Sequence, residues 1–122
     1  MAQKILFIED EEALQKSLSK TLELEGFNVL SAYDGLSGFE TAQKELPDLI
    51  LLDLILPKID GFEVLRKLKR TPETKDIPVI ILTNLEQVQS VEKTIEFGPL
   101  NYLVKANYDL EEIVVKIKEV LK

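Results

Sequence analysis

The sequence contains no cysteine and no histidine among its 122 residues. The absence of cysteine excludes disulfides, zinc–thiolate sites and thiol nucleophiles, and it leaves the redox compartment unspecified. Because both residue types are missing, a metal ion would have to be held by oxygen ligands, which favours a hard cation such as Mg²⁺ or Ca²⁺. The composition therefore restricts the available chemistry to carboxylates, hydroxyls, amines and backbone groups.

The sequence also lacks a long hydrophobic run near its start. The apolar stretch Ile5–Ile8 is short and is followed by acidic residues, so the sequence predicts neither a signal peptide nor a membrane-spanning helix. Acidic residues outnumber basic ones by 22 to 15, and a formal charge of -7 argues against binding nucleic acid or anionic membranes. We therefore expect a cytoplasmic protein whose partners are cationic or mixed-charge proteins.

Short aliphatic segments alternate with segments of helical periodicity. The predicted strands are Lys4–Ile8, Phe27–Ala32, Leu49–Asp53, Val79–Thr83 and Tyr102–Lys105. The first predicted helix carries Leu14, Leu18 and Leu22 on one side and ends at Gly26. The later helices are predicted from about Asp34 to Leu46, Asp60 to Thr71, Glu86 to Phe97, and from Asp109 onward.

This alternation predicts a parallel sheet covered by helices on both faces. A length of 122 residues and 45% hydrophobic content suit one domain with an ample core. We predict an α/β fold, a flavodoxin-like (βα)5 three-layer sandwich with strand order 2-1-3-4-5 over residues 1–122.

Aspartates mark the predicted helix starts. Asp34 is expected to be an N-cap, and Asp60 and Asp109 are each followed three residues later by glutamate, the spacing of a capping box. On the last helix, Val115 lies about 140° from Leu110 and is expected to face solvent.

Ionisable and hydroxyl side chains follow the predicted strands at their carboxyl ends. Glu9 and Asp10 follow the first strand, Asp53 ends the third, and Thr83 and Lys105 end the fourth and fifth. In the predicted strand order these groups meet at one edge of the sheet, where parallel α/β folds bind ligands. Clustered carboxylates repel one another unless a cation compensates, and acidic oxygens with one backbone carbonyl suit Mg²⁺. Asp53 is thus a candidate nucleophile for an acyl phosphate.

Four segments in this order resemble the response regulator receiver domain of two-component signalling, in its single-domain, chemotaxis-regulator-like form. The matching segments are residues 5–11, residues 53–61, residues 79–83 and residues 102–105. The resemblance covers essentially the whole chain. Four motifs in the same order are more specific than any one of them.

The resemblance implies a role for each site residue. Asp53 matches the phosphoacceptor, Glu9 and Asp10 match the acidic pair that binds Mg²⁺ or Mn²⁺ with Asp53, and Ile55 matches the position whose backbone carbonyl is a further ligand. The resemblance also implies that Thr83 and Lys105 bind the phosphoryl group. Thr83 and Tyr102 match the switch pair of the family, in which the aromatic side chain turns inward when the threonine moves.

The chain departs from the family pattern at four positions. Glu9 stands where aspartate is commoner, and Ala106 stands where proline usually follows the lysine, so a cis peptide is not expected there. Asn84 and Pro99 replace usually small residues. We expect these departures to change rates and switching geometry more than identity.

The leading hypothesis is a phosphoacceptor switch that catalyses only its own phosphorylation and autodephosphorylation. A histidine kinase or histidine phosphotransfer protein would donate the phosphoryl group. The face made by the fourth helix, fifth strand and fifth helix would bind a downstream target, and the chain itself would be a monomer or weak dimer.

One alternative is a receiver-like scaffold that is not phosphorylated. Another is a different phosphoryl-transfer or flavin-binding α/β domain, and the absence of a glycine-rich phosphate loop after the first strand argues against it. The chain is a complete regulator, a phosphorelay intermediate or a receiver excised from a longer response regulator or hybrid kinase.

Overall fold

The computed structural model describes residues 2–83, 101–104 and 109–122. The strands in these ranges are β1 (Lys4–Ile8), β2 (Asn28–Ala32), β3 (Leu49–Asp53), β4 (Val79–Thr83) and β5 (Asn101–Val104). The helices are α1 (Glu12–Leu24), α2 (Gly35–Glu45), α3 (Gly61–Arg70) and α4 (Leu110–Leu121), the last of which is the predicted fifth helix. The predicted helix at Glu86–Phe97, and the residues Asn84, Pro99, Lys105 and Ala106, lie outside the described residues.

The five strands form one parallel sheet in the order β2-β1-β3-β4-β5, which confirms the predicted fold class. β1 lies between β2 and β3, with Ile5 paired to both Val29 and Leu49. Because β1 and β3 are neighbours with parallel direction, their carboxyl ends meet at one edge of the sheet. Among the described helices, none combines the length and apolarity that crossing a bilayer requires.

The core lies on both faces of the sheet because side chains alternate along each strand. On one face, Leu6, Ile8 and Leu52 pack against residues of α2 and α3. On the other, Ile5, Phe7 and Leu51 pack against α1 and α4. The result is the predicted three-layer arrangement, in which β3 is buried along its whole length.

Helix ends agree with most of the predicted capping. The Asp34 and Asp109 side chains accept hydrogen bonds from Ser37 N and Glu112 N, and Asp109 completes a reciprocal capping box. At Asp60, the described residues show only one of the two hydrogen bonds of a capping box, in which the Asp60 carboxylate accepts from Glu63 N. The Glu63 carboxylate instead accepts from the Arg66 guanidinium one turn along α3.

Two further positions show how helices end. Gly26 has φ +96°, a left-handed conformation that suits glycine, and it follows α1 as predicted. Leu46 also takes a left-handed conformation, with φ 46°, and ends α2 one residue before Pro47. Val115 on α4 is exposed, as expected from the helical periodicity.

The charge on Asp34 makes one contribution to stability dependent on pH. Ser37 N donates to Asp34 Oδ1 at 2.8 Å and lowers the pKa of this carboxyl below its ordinary value of 3.8. Partial burial acts in the opposite direction, and the Lys58 ammonium, 3.7 Å from Oδ2, lowers the pKa further. A depressed carboxyl pKa contributes stability that is present above about pH 4 and is lost as the pH falls through the folded-state pKa.

We therefore expect Asp34→Asn, which keeps a capping oxygen but no charge, to destabilise the protein at pH 7 by about 0.3–1 kcal/mol. This difference from wild type should shrink toward zero as the pH falls through the folded-state pKa of Asp34, because the wild-type carboxyl then becomes neutral as well. Urea unfolding of both proteins at several pH values measures it. A difference that stays constant down to pH 2 would show that the cap acts without its charge.

Candidate phosphoryl-transfer site

Asp53 ends the central strand β3 at the carboxyl edge of the sheet. The four residues before it are aliphatic and fully buried, and Asp53 itself is only 4% exposed. Its backbone is paired in register with Leu82 of β4. A carboxylate held this deep next to an apolar strand is costly unless it is solvated by protein groups or a cation. Asp53 Oδ1 accepts a hydrogen bond from Ile55 N at 3.3 Å.

Glu9 and Asp10 bring two further carboxylates to Asp53. They follow β1 directly, and one carboxylate oxygen from each of the three residues lies within 4.8 Å of the others. Glu9 is buried with Glu11 N donating to its Oε2 at 3.2 Å, whereas Asp10 is exposed. The prediction that residues from strands one and three converge is confirmed.

The donor set of this cluster fits a hard divalent cation. Its three ligand groups are anionic oxygens, and Mg²⁺ prefers one or two carboxylates supplemented by waters, backbone carbonyls and phosphate oxygens. Two of the three carboxylates are buried and Asp10 is exposed, and this set of oxygens supports cation binding.

The loop after β3 holds Ile55 near Asp53. Ile55 is 58% exposed, so its side chain contributes little to the core, and its N–H orients the Asp53 carboxylate. Gly61 N donates to Leu54 O at 2.8 Å, which folds the loop back on the strand end. Lys58, in a left-handed conformation with φ 70°, pairs with Asp34.

Two glycines allow this loop to lie close to its neighbours. A Cβ on Gly35 would be 2.0 Å from the backbone oxygen of Ile59, and Gly35 N donates to Pro57 O at 3.3 Å. A Cβ on Gly61 would be 2.4 Å from both Asp53 O and Leu54 Cα. The Asp60–Gly61 turn predicted from the sequence is therefore also a point of backbone contact with the site.

The structure describes only part of the other predicted site residues, Thr83, Tyr102 and Lys105. Thr83 is the last residue of β4 and its backbone is in register with Val104 of β5, while its side chain lies outside the described part of the structure. Tyr102 lies in β5, is half-buried, and packs against the cluster of core residues below α2 and α3. Lys105 lies outside the described residues.

Gln15 is a buried residue next to the site that the sequence reasoning missed. It lies on α1 and is 1% exposed, and its Nε2 contacts three carbonyl oxygens, of Phe7, Glu9 and Ala32. Leu14 packs against the core as predicted but is only partly buried, and the fully buried positions of the helix are Gln15, Leu18 and Leu22. Their spacing of three and four residues was a signal for a buried glutamine.

Sequence comparisons agree with this geometry. Residues 5–118 match the family model of the response regulator receiver domain. The chain is 41% identical over 119 residues to the DNA-binding dual master transcriptional regulator RpaA of Synechocystis sp., covering 98% of this chain and 49% of that protein. It is 36% identical to the response regulator ArlR of Staphylococcus aureus, covering 98% and 52%. The chain thus spans about half the length of these curated relatives.

Solved structures of receiver domains have the same fold as this chain. A CheY-like receiver domain protein from Methanospirillum hungatei superposes with a TM-score of 0.89 at 26% identity, over 99% of this chain and 94% of that one. The chemotaxis protein CheY4 of Vibrio cholerae superposes with a TM-score of 0.88 at 26% identity, over 98% and 99%. The order of the sheet, the carboxylate cluster and the match over residues 5–118 lead to one conclusion: this chain belongs to the response regulator receiver domain family.

Proposed function

We propose that this chain is a phosphoacceptor switch in which Asp53 receives a phosphoryl group. The observation that carries the proposal is the cluster of Glu9, Asp10 and Asp53 within 4.8 Å at the carboxyl edge of a receiver-type sheet. Asp53 is the member of the cluster that ends the central strand and is held by the loop after it. It is therefore the best-positioned nucleophile of the three.

In the proposed reaction, an Asp53 carboxylate oxygen attacks the phosphorus of a phosphohistidine on a partner. A new P–O bond forms, the P–N bond breaks, and the electron pair stays on the imidazole nitrogen, which takes up a proton. Water later hydrolyses the acyl phosphate, which releases inorganic phosphate and restores Asp53 as a carboxylate. The chain would catalyse only these two steps, its own phosphorylation and autodephosphorylation.

The metal in this proposal is Mg²⁺ or Mn²⁺, held by the carboxylates of Glu9, Asp10 and Asp53 and by the backbone carbonyl of Ile55. When bound, the cation neutralises the charge shared between the carboxylates and the transferred phosphoryl group. The Ile55 N–H keeps Asp53 Oδ1 oriented, and the Glu11 N–H donates to the buried Glu9 carboxylate.

Thr83 and Lys105 complete the proposed site. Thr83 ends β4 one residue after Leu82, the register partner of Asp53, and Lys105 directly follows β5 in the sequence. We propose that the hydroxyl and the ammonium bind the phosphoryl oxygens. Movement of Thr83 would let Tyr102 turn inward and change the face formed by residues 86–97, β5 and α4.

The partners in this proposal are a histidine kinase or histidine phosphotransfer protein upstream and a target protein downstream. The name of the relative RpaA states DNA binding, but an acidic chain that spans about half of that relative is not proposed to contact nucleic acid itself. Residues 1–122 would be one receiver domain, cytoplasmic, without membrane contact, and a monomer or weak dimer.

One assay tests the proposal on the wild-type protein. Incubation with a small phosphodonor such as acetyl phosphate and Mg²⁺ is expected to add one phosphoryl group, seen by intact mass as an acid-stable, base-labile adduct. Chelation of Mg²⁺ should reduce the yield to background. The absence of any adduct would contradict the proposal and would favour a receiver-like scaffold that is not phosphorylated.

A further inference from the structure

Gln15 makes an unusual set of contacts below the carboxylate cluster. Its Nε2 lies 2.8 Å from Phe7 O, 3.2 Å from Glu9 O and 2.9 Å from Ala32 O, so two N–H groups are shared among three carbonyls. Phe7 and Ala32 lie at the carboxyl ends of β1 and β2, and Glu9 directly follows β1. One side chain of α1 therefore ties two strand ends together.

The contacts fix the backbone of Glu9 on both sides. Glu9 N donates to Ala32 O at 3.0 Å, and Glu9 O accepts from Gln15. Ala32 O thus accepts both from the Glu9 amide and from the Gln15 amide. With its N–H and C=O both bound, the Glu9 peptide has one orientation, and this orientation sets the direction in which the Glu9 and Asp10 side chains leave the chain.

The Oε1 atom of the Gln15 amide indicates that this side chain acts as a hydrogen-bond donor. In the described part of the structure, the Oε1 atom of Gln15 is buried and has no hydrogen-bond partner. Leaving a buried acceptor unpaired is costly, so the donor contacts must outweigh that cost. The side chain is therefore held by what its Nε2 contacts, all of which lie next to the acidic pair.

We propose that Gln15 is a positioning residue of the metal site, which acts by holding the Glu9–Asp10 backbone in the conformation that lets both carboxylates reach the cation. This inference rests on the proposed function, because it assumes that the cluster binds Mg²⁺. Residues that orient metal ligands from behind typically change metal affinity by about 10–100-fold when replaced. Gln15 would be such a residue without touching the metal, the phosphoryl group or Asp53.

The test compares Gln15→Met with Leu22→Ala. Methionine keeps the length of the side chain and removes the donor, whereas Leu22 is a buried residue of the same helix that faces the core below α1 and α4. Both variants should be less stable than wild type. Mg²⁺ titrations followed by amide chemical shifts, under conditions in which each protein is folded, measure affinity separately from stability.

We expect Gln15→Met to weaken Mg²⁺ binding roughly tenfold or more and Leu22→Ala to leave it unchanged. Without Mg²⁺, amide hydrogen exchange should accelerate at Glu9 and Asp10 in Gln15→Met more than in the rest of β1, whereas Leu22→Ala should accelerate exchange generally. Gln15→Asn, which keeps the amide on a shorter side chain, should be intermediate and serves as the readout if Gln15→Met does not fold.

The outcomes separate the two proposals. Unchanged Mg²⁺ affinity in Gln15→Met or Gln15→Asn, despite lower stability, would overturn the positioning role and leave the metal site intact. A wild-type protein that shows no Mg²⁺ binding would overturn the metal site and this inference together.

Discussion

Replacement of Asp53 by asparagine is expected to abolish phosphorylation by acetyl phosphate. The amide has almost the shape of the carboxylate but has neither its charge nor its nucleophilic oxygen, so the P–O bond cannot form. Glu9 and Asp10 are not expected to accept the phosphoryl group in place of Asp53, because neither of these carboxylates ends a central strand. Intact mass after incubation with the phosphodonor and Mg²⁺ measures the result.

The matched control is Asp48→Asn. Asp48 precedes the same strand at its opposite end, is exposed, and accepts a hydrogen bond from Lys4 N through a carboxylate oxygen that asparagine retains as an amide oxygen. This variant should be phosphorylated like the wild type. An adduct of equal yield on Asp53→Asn would show that the acceptor is another residue, although the family assignment would stand.

Asp53→Asn should also be more stable than the wild type in the absence of Mg²⁺. The substitution removes one of three carboxylates that lie within 4.8 Å, and with it the repulsion of Asp53 by Glu9 and Asp10. Adding Mg²⁺ should narrow this difference, because the cation stabilises the folded wild type by mass action. Thermal unfolding with and without Mg²⁺ provides the comparison.

Gly61→Ala is expected to have the second largest effect, on both stability and phosphorylation. The added Cβ would lie 2.4 Å from Asp53 O and from Leu54 Cα, and both are backbone atoms that cannot rotate away. Overpacking of this kind costs typically about 1–3 kcal/mol, more than the gain of up to about 1 kcal/mol from placing alanine in a helix.

The same overlap would displace Asp53, the proposed phosphoacceptor. To relieve it, the Asp53–Leu54 peptide has to move, and a displacement of about 1 Å in a reacting group costs on the order of 100-fold in rate. We therefore expect Gly61→Ala to unfold at lower urea concentration and to accept phosphoryl groups on the order of 100-fold more slowly. Urea unfolding and the time course of adduct formation measure the two effects.

Gly26→Ala is the control for a substitution that is destabilising and remote from the site. Gly26 has φ +96°, and an added Cβ would meet no atom within 4 Å, so the cost is backbone strain of about 1–2 kcal/mol. Its phosphorylation rate should equal that of the wild type. If Gly61→Ala were phosphorylated at the wild-type rate as well, the close contact with Asp53 would be a matter of stability alone.

The parts of the fold that depend on local pattern were predictable from the sequence. β1, β3 and β4 have the predicted bounds, and β2 differs by one residue. Asp34 and Asp109 cap their helices because a short carboxylate before a helical segment satisfies free N–H groups whatever the surroundings. The convergence of Glu9, Asp10 and Asp53 followed from the same information, since parallel strands bring their carboxyl ends to one edge.

The parts that depend on contacts between distant segments were not predictable. Glu63 accepts from Arg66 instead of completing a capping box, and the sequence offers both partners at the same spacing of three residues. Gln15 reaches three carbonyls from two strands, and nothing in its local sequence specifies them. The approach of Gly35 to Ile59 depends on where the loop after β3 lies once the sheet is formed.

The central position of β1 has a consequence for how the chain folds during synthesis. Residues 5–8 are made before one of their two partners, residues 49–52, which follows only after two helices and another strand. Pairings between segments so distant in sequence form slowly, because loop-closure entropy is lost before the contacts compensate for it. We therefore expect β1 to lack its partner on that side until β3 has been synthesised, and an unpaired aliphatic strand edge of this kind favours aggregation.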